Sequence, residues 1–224
     1  MERIGHRGAK QEFPENTLPA FRRAYERGAQ AVELDVHATS DGVVVVHHDP
    51  SVHGPDGRLL EIAATPLGRL RTVRFTDEAG IPTLDEVLAE TPAGATVYVE
   101  IKGAGIERLV VEAIRKSTAT CAIHSFDHEA IVRVRELAPE IPRGILFETL
   151  GSDVVAEMRR TGARDVWPQW RLIDAPLVAT VHGAGGRVIA WTVNDPNAAA
   201  ALAALGVDGL CGDDVRVFAT IGRA

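Results

Sequence analysis

Along 224 residues, a short apolar run suited to a strand gives way to a helix-forming segment eight times over. The strand-like runs cover residues 3–8, 32–50, 96–102, 121–126, 143–148, 165–170, 187–194 and 209–212, with 32–50 counted as one extended, hairpin-like unit. Parallel strands need long crossover connections, and a helix after each strand provides one. The helices also cover the faces of a sheet whose strands are apolar on both sides. Eight such units in one chain of this size imply a closed (β/α)8 TIM barrel, on the short side of the usual ~250 residues. The competing architecture is an open doubly wound sheet. No Gly-x-Gly-x-x-Gly follows the first strand, which argues against dinucleotide binding.

Local signals punctuate this rhythm. Asn16 or Thr17 can cap a helix carrying Leu18, Phe21 and Tyr25, with Gly28 closing it. Thr83-Leu-Asp-Glu86 is a capping box. Asp127, Asp174-Ala-Pro176 and Asp195-Pro196 open further helices, and Gly162 and Gly206 stand behind two of them. A last helix is expected over 215–221. Residues 51–82 are rich in glycine, proline and charge with little periodicity, and read as a long βα connection forming a small cap. Nothing marks a boundary, so residues 1–224 are expected to form one domain with 51–82 as an insertion.

The net charge of −7, without blocks of like charge, argues against a nucleic-acid binder. No apolar run approaches the ~20 residues of a membrane span. Met-Glu-Arg-Ile-Gly-His lacks a signal-peptide hydrophobic region, so the expectation is a cytoplasmic protein. Cys121 and Cys211 lie in separate apolar runs and read as reduced core residues.

Active sites of such barrels sit at the C-terminal ends of the strands. The polar residues there are His6 and Arg7 on the first strand, Glu33 and Asp35 on the second, His48 on its extension, and Glu100 and Lys102 on the third. Residues two apart on a strand share a face, so Glu33 joins Asp35 and Glu100 joins Lys102. Carboxylates crowded on a mostly apolar strand repel each other, and a bound cation reverses that cost. Three carboxylates without thiolates make a hard oxygen site suited to Mg²⁺ or Ca²⁺, with Mn²⁺ also accepted. Arg7 and Lys102 suit an anionic group, and two histidines suit proton transfer near neutral pH. Trp191, at another strand end, can stack on a substrate or fill the core. His47 is expected on the opposite face from His48, in a packing role. His53, His124, His128 and His182 read as structural.

The order and spacing of several motifs resemble the glycerophosphodiester phosphodiesterases. They are His6-Arg7-Gly8, Pro14-Glu15-Asn16-Thr17, Glu33-Leu-Asp-Val-His37, Thr39-Ser-Asp-Gly42 and His48-Asp49-Pro50. Ile81-Pro-Thr-Leu-Asp-Glu-Val-Leu88, Glu100-Ile-Lys102, Ser125-Phe126, Trp191-Thr-Val-Asn194 and Gly206-Val-Asp-Gly209 extend the resemblance over nearly the whole chain. It implies a (β/α)8 barrel that hydrolyses a glycerophosphodiester to an alcohol and glycerol 3-phosphate. It further implies that Glu33, Asp35 and Glu100 hold a divalent metal, that His6 and His48 are the acid–base pair, and that Arg7 and Lys102 bind phosphate. Two segments depart from the family pattern. Ser51-Val-His-Gly-Pro-Asp-Gly57 replaces an Arg-Thr-Thr run, and Gly212-Asp213-Asp214 stands where Thr-Asp-x-Pro is usual. The competing expectations are a phospholipase C- or D-like enzyme acting on lysolipids and a non-catalytic phosphate-binding barrel.

Overall fold

The computed structural model describes residues 1–151 and 153–219. Eight parallel strands form the barrel: β1 (Glu2–His6), β2 (Ala31–Ala38), β3 (Thr96–Ile101), β4 (Thr120–Ser125), β5 (Arg143–Phe147), β6 (Asp165–Pro168), β7 (Arg187–Ala190) and β8 (Gly209–Gly212). Each pairs with its sequence neighbour, and β1 pairs with both β2 and β8, which closes the sheet.

Strand alternation divides the core in two. Ile4, Ala31, Tyr98, Ala122, Leu146, Trp167, Ile189 and Cys211, one from every strand, fill the barrel interior. The alanines leave room for Trp167 and Tyr98, whose rings meet edge-on at 4.9 Å. The alternate residues, such as Leu34, Val99, Ile123 and Val166, face the helices and form the larger outer core. Below the interior layer the barrel is plugged by ion pairs, with Arg187 2.9 Å from Glu2 and Arg164 2.6 Å from the fully buried Asp165.

The helices begin where side chains satisfy their first N–H groups. Thr17 caps Leu18–Glu26, Thr83 and Glu86 form both bonds of a capping box, and Asp127, Asp153, Asp174 and Asp195 each accept from a helical N–H. Gly162 and Gly206 end their helices with φ of 65° and 86°, in the left-handed region that glycine adopts without strain.

The structure differs from the sequence reading in four places. Strand β7 stops at Ala190, four residues short of the expected 187–194. Strand β6 stops at Pro168, after which Gln169 still donates to the Phe147 carbonyl at 2.9 Å, and Trp170–Leu172 is a 3-10 turn. The last helix is a short 3-10 segment, Val215–Phe218, and residues 220–221 of the expected helix lie outside the described residues. Residues 51–82 carry more regular structure than their composition implies. Ser51–His53 pairs antiparallel with Leu59–Glu61, followed by a 3-10 turn and the short helix Leu67–Leu70. Val45, Ile62, Leu70, Val73 and Ile81 give this region its own small core.

Candidate active site

The C-terminal mouth of the barrel holds a cavity of about 330 Å³. Of the eight side chains expected there, His6, Arg7, Glu33, His48, Glu100, Lys102 and Trp191 line it. Asp35 lies behind this wall, fully buried. The opposite wall is Phe126, Glu148 and Trp191, and the floor includes His124, Leu146, Trp167 and Cys211.

The turn after β1 explains the His-Arg-Gly spacing. His6 ends the strand with its ring at the mouth. Arg7 has φ of 55°, a left-handed conformation costing about 1–3 kcal/mol for a residue with a side chain. Its N–H donates to the Glu33 carbonyl at 2.9 Å, and its Nη1 lies 2.8 Å from Glu15. Gly8 follows at φ of 84°, where a Cβ would meet the Ala20 backbone at 2.7 Å. Only glycine lets the chain turn this tightly against the first helix.

Strand register assembles the acidic centre. His6 is the register partner of Glu33, while Asp35, Glu100 and His124 are partners across β2, β3 and β4. Asp35 Oδ2 accepts from Asn16 Nδ2 at 2.8 Å and lies 3.0 Å from Arg7 Nε, an ion pair whose angle is too poor for a hydrogen bond. Asn16, expected as a possible helix cap, therefore serves the carboxylate, and Thr17 alone caps. Lys102 Nζ lies 3.1 Å from Glu100 and 3.9 Å from Asp35 Oδ1.

Burial, then the charge of Asp35, pushes the Glu33 and Glu100 carboxyls above their ordinary range. His6 and Arg7 beside Glu33, and His124 and Lys102 beside Glu100, only partly offset this. Burial also pushes the His124 imidazole down to about 4, against the pull of Glu100, so it is neutral at pH 7.

The two histidines expected to transfer protons have different supports. His6 Nδ1 lies 2.7 Å from Asp213 Oδ1, just beyond β8. Asp213 is itself held by Asn194, which donates to it at 2.7 Å, and by Lys10 at 3.2 Å. Burial works against the Asp213 carboxylate, but the His6 hydrogen bond and these neighbours hold its pKa at about 2. His48 is one-third exposed, with Nδ1 2.8 Å from Asp49. Its carbonyl accepts from His37 Nε2 at 3.1 Å, so His37 steadies the loop from beneath. His47 stacks on Phe75 instead, with ring centroids 5.9 Å apart. Trp191 is half-buried, its indole N–H donating to the Trp167 carbonyl at 2.9 Å and its ring edge-on to Phe126 at 5.4 Å.

Two residues of the site escaped the sequence reading. His124, which reads as structural in the sequence, is a cavity residue, and its strand parity with Ala122 inside the barrel is the signal for it. Asp213, noted only within a departing segment, reaches His6 through closure of the barrel.

The donor set fits a cation. Among the described residues, Glu33, Glu100 and His124 each offer a ligand atom within 4.8 Å of the others. Asp35 Oδ1 and both ring nitrogens of His124 are buried without a hydrogen-bond partner. Buried, unpaired acceptors around repelling carboxylates are what a bound metal ion would satisfy.

Residues 6–217 match the model of the glycerophosphoryl diester phosphodiesterase family. This chain is a member of that family. A glycerophosphodiester phosphodiesterase of Caldanaerobacter subterraneus subsp. tengcongensis is 32% identical over 98% of this chain and 97% of its own length. Among solved structures, an Oleispira antarctica phosphodiesterase in complex with the product sn-glycerol-3-phosphate superimposes with a TM-score of 0.87, at 27% identity, covering 98% of this chain and 96% of that one. A glycerophosphodiester phosphodiesterase from Thermotoga maritima gives a TM-score of 0.86 at 27% identity, over 98% and 97% of the two chains. This family member is a phosphoric diester hydrolase acting on glycerophosphodiesters, small-molecule substrates that the cavity is large enough to take. Among the described residues, no helix is long and apolar enough to cross a membrane.

Proposed function

We propose that the enzyme cleaves glycerophosphodiesters to an alcohol and sn-glycerol 3-phosphate by metal-dependent acid–base catalysis. The observation that carries this reading is the convergence of two buried carboxylates, two cationic side chains and two histidines on one cavity, with a third carboxylate, Asp35, buried directly behind them. Glu33, Asp35 and Glu100 hold a divalent cation. Taken alone they form an oxygen set suited to Mg²⁺ or Ca²⁺, and Mn²⁺ accepts the same ligands. When bound, the cation polarises the phosphoryl group as a Lewis acid.

The chain's own residues do the rest. Arg7 and Lys102 bind the phosphate oxygens and neutralise charge that builds on them. His6 and His48 stand at the ends of different segments facing the same cavity. One takes a proton from the nucleophile, either water or a neighbouring glycerol hydroxyl, in which case water then opens the cyclic phosphate to give glycerol 3-phosphate. The other protonates the departing alkoxide, a poor leaving group near neutral pH. Trp191 and Phe126 form an apolar wall on which the glycerol or head group packs. Residues 1–224 act as one domain, with 51–82 as a cap beside the mouth. The two cysteines, buried and unpaired, suit a reducing, cytoplasmic setting.

The test is a substrate panel of glycerophosphocholine, -ethanolamine, -glycerol and -inositol beside lysolipids, with and without EDTA. Release of glycerol 3-phosphate should stop in EDTA and return with a divalent cation. His6→Ala and His48→Ala should each cut kcat by about 10²–10⁴-fold. Undiminished turnover in EDTA, or in both histidine variants, would overturn the scheme.

A further inference from the structure

His124 is the one cavity histidine with neither ring nitrogen engaged, since His6 and His48 each bond a carboxylate through Nδ1. It is 1% exposed. Burying an imidazole without a partner costs about 1–3 kcal/mol, which a leucine at the same place would avoid. The ring is nonetheless held firmly. Trp167 packs edge-on against it at 4.4 Å, and Gly144 leaves the space, because a Cβ there would lie 3.1 Å from His124 Cβ and 2.9 Å from Trp167 Nε1. Register places it beside Glu100, and its Nε2 lies 3.7 Å from Glu33 Oε1. Two ligands of one small dication, each about 2.1 Å from it, stand at most about 4.2 Å apart, so this separation suits a shared ion.

We propose that His124 supplies a nitrogen ligand to the cation site, tilting its preference toward Mn²⁺, Co²⁺ or Zn²⁺ over Mg²⁺ and Ca²⁺. This rests on the metal reading above and refines it. Carboxylates alone suit the hard alkaline-earth ions, and one imidazole added to them favours first-row transition ions. The fit is close but not finished, because the ligand atoms of Glu33, Glu100 and His124 span up to 4.8 Å and must draw in by a few tenths of an ångström. Short rotations of two glutamate side chains achieve that, while the packed His124 ring stays as the fixed member.

Pulsed electron paramagnetic resonance on the Mn²⁺-loaded protein reads nitrogen coordination directly. The wild type should show ¹⁴N coupling to Mn²⁺, and His124→Gln should lose it. Calorimetric titration of that variant should show Mn²⁺ affinity reduced about tenfold or more, with Mg²⁺ affinity changed less than about threefold. The double variant His6→Ala/His48→Ala, which leaves His124 as the sole cavity histidine, should keep the coupling, and it answers the question even if His124→Gln does not fold. Stoichiometric Mn²⁺ binding that Glu33→Gln abolishes, but that shows no nitrogen coupling, would overturn the role of His124 and leave the carboxylate site standing. Coupling that survives in His124→Gln would overturn it too. If neither Mn²⁺, Mg²⁺ nor Ca²⁺ binds the wild type, the metal reading itself falls, and this inference with it.

Discussion

Glu33→Gln should stabilise the metal-free protein while destroying its metal site. Glu33 and Glu100 bring oxygens within 4.8 Å of each other in a buried setting. At an effective dielectric of about 20, unit charges at that separation repel by about 3.5 kcal/mol. Lys102, 3.1 Å from Glu100, takes back part of this, leaving a net cost on the order of 2 kcal/mol for the second charge. Glutamine keeps the shape and the acceptor that faces the Arg7 N–H at 3.3 Å, and removes only the charge.

The effect must depend on pH in a defined direction. Folding raises the Glu33 carboxyl above its ordinary value of 4.5, through burial first and Asp35 second. The folded state therefore holds a proton that the unfolded state has released, and stability falls as pH rises past 4.5. In EDTA at pH 8, Glu33→Gln should unfold about 4–8 °C above the wild type. At pH 5, where Glu33 is largely protonated in the fold, the two should nearly coincide. Saturating metal should reverse the order, since a ligand at about a hundredfold its Kd adds about 2.7 kcal/mol to the wild type alone. Thermal unfolding by circular dichroism at both pH values, with EDTA and with metal, reads all three. A variant that is less stable in EDTA at pH 8, or a difference that ignores pH, would refute the reasoning.

Three further outcomes follow from the geometry. Asp213→Asn removes the charge facing His6 Nδ1, and should lower kcat by about 10–100-fold with little change in KM. Because Asp213 stays ionised down to about pH 2, that loss should persist across the neutral range in steady-state assays. Gly8→Ala sets a Cβ 2.7 Å from the Ala20 backbone at a positive φ, and should cost about 2–4 kcal/mol in urea unfolding. Trp191→Ala strips the apolar wall and should raise KM up to about tenfold while kcat stays within about threefold, measured on the preferred diester.

Much of the fold was legible because its signals are local. Capping residues mark helix starts whatever the tertiary context, and the alternation of strand and helix leaves few topologies open. The acidic centre was legible for a related reason. Glu33 and Asp35, or Glu100 and Lys102, lie two apart, so strand parity alone joins them. The cap is legible as an insertion, but its internal strand pair is not, although Pro55-Asp56-Gly57 is a turn signal and Gly57 takes φ of 75°. Its strands are three residues each, too short for a period to show. His124 was missed because a single histidine in an apolar run carries no pattern, and its partner Glu100 lies on the neighbouring strand. Asp213 is 207 positions from His6, and only the β1–β8 pairing that closes the barrel joins them.

Charge balance ties the missed and the expected residues into one device. Ionised together, Glu33, Asp35 and Glu100 would bring three negative charges to the site, against two positive ones from Arg7 and Lys102. Glu148 adds a further carboxylate across the cavity. Burial and mutual repulsion push Glu33 and Glu100 up, so without a cation the fold exchanges carboxylate charge for bound protons. A dication in the proposed site would displace those protons and restore both side chains as ligands. A phosphodiester carries one negative charge, so on that reading the metal-free mouth offers it little net attraction, and the cation that assists the chemistry would also admit the substrate.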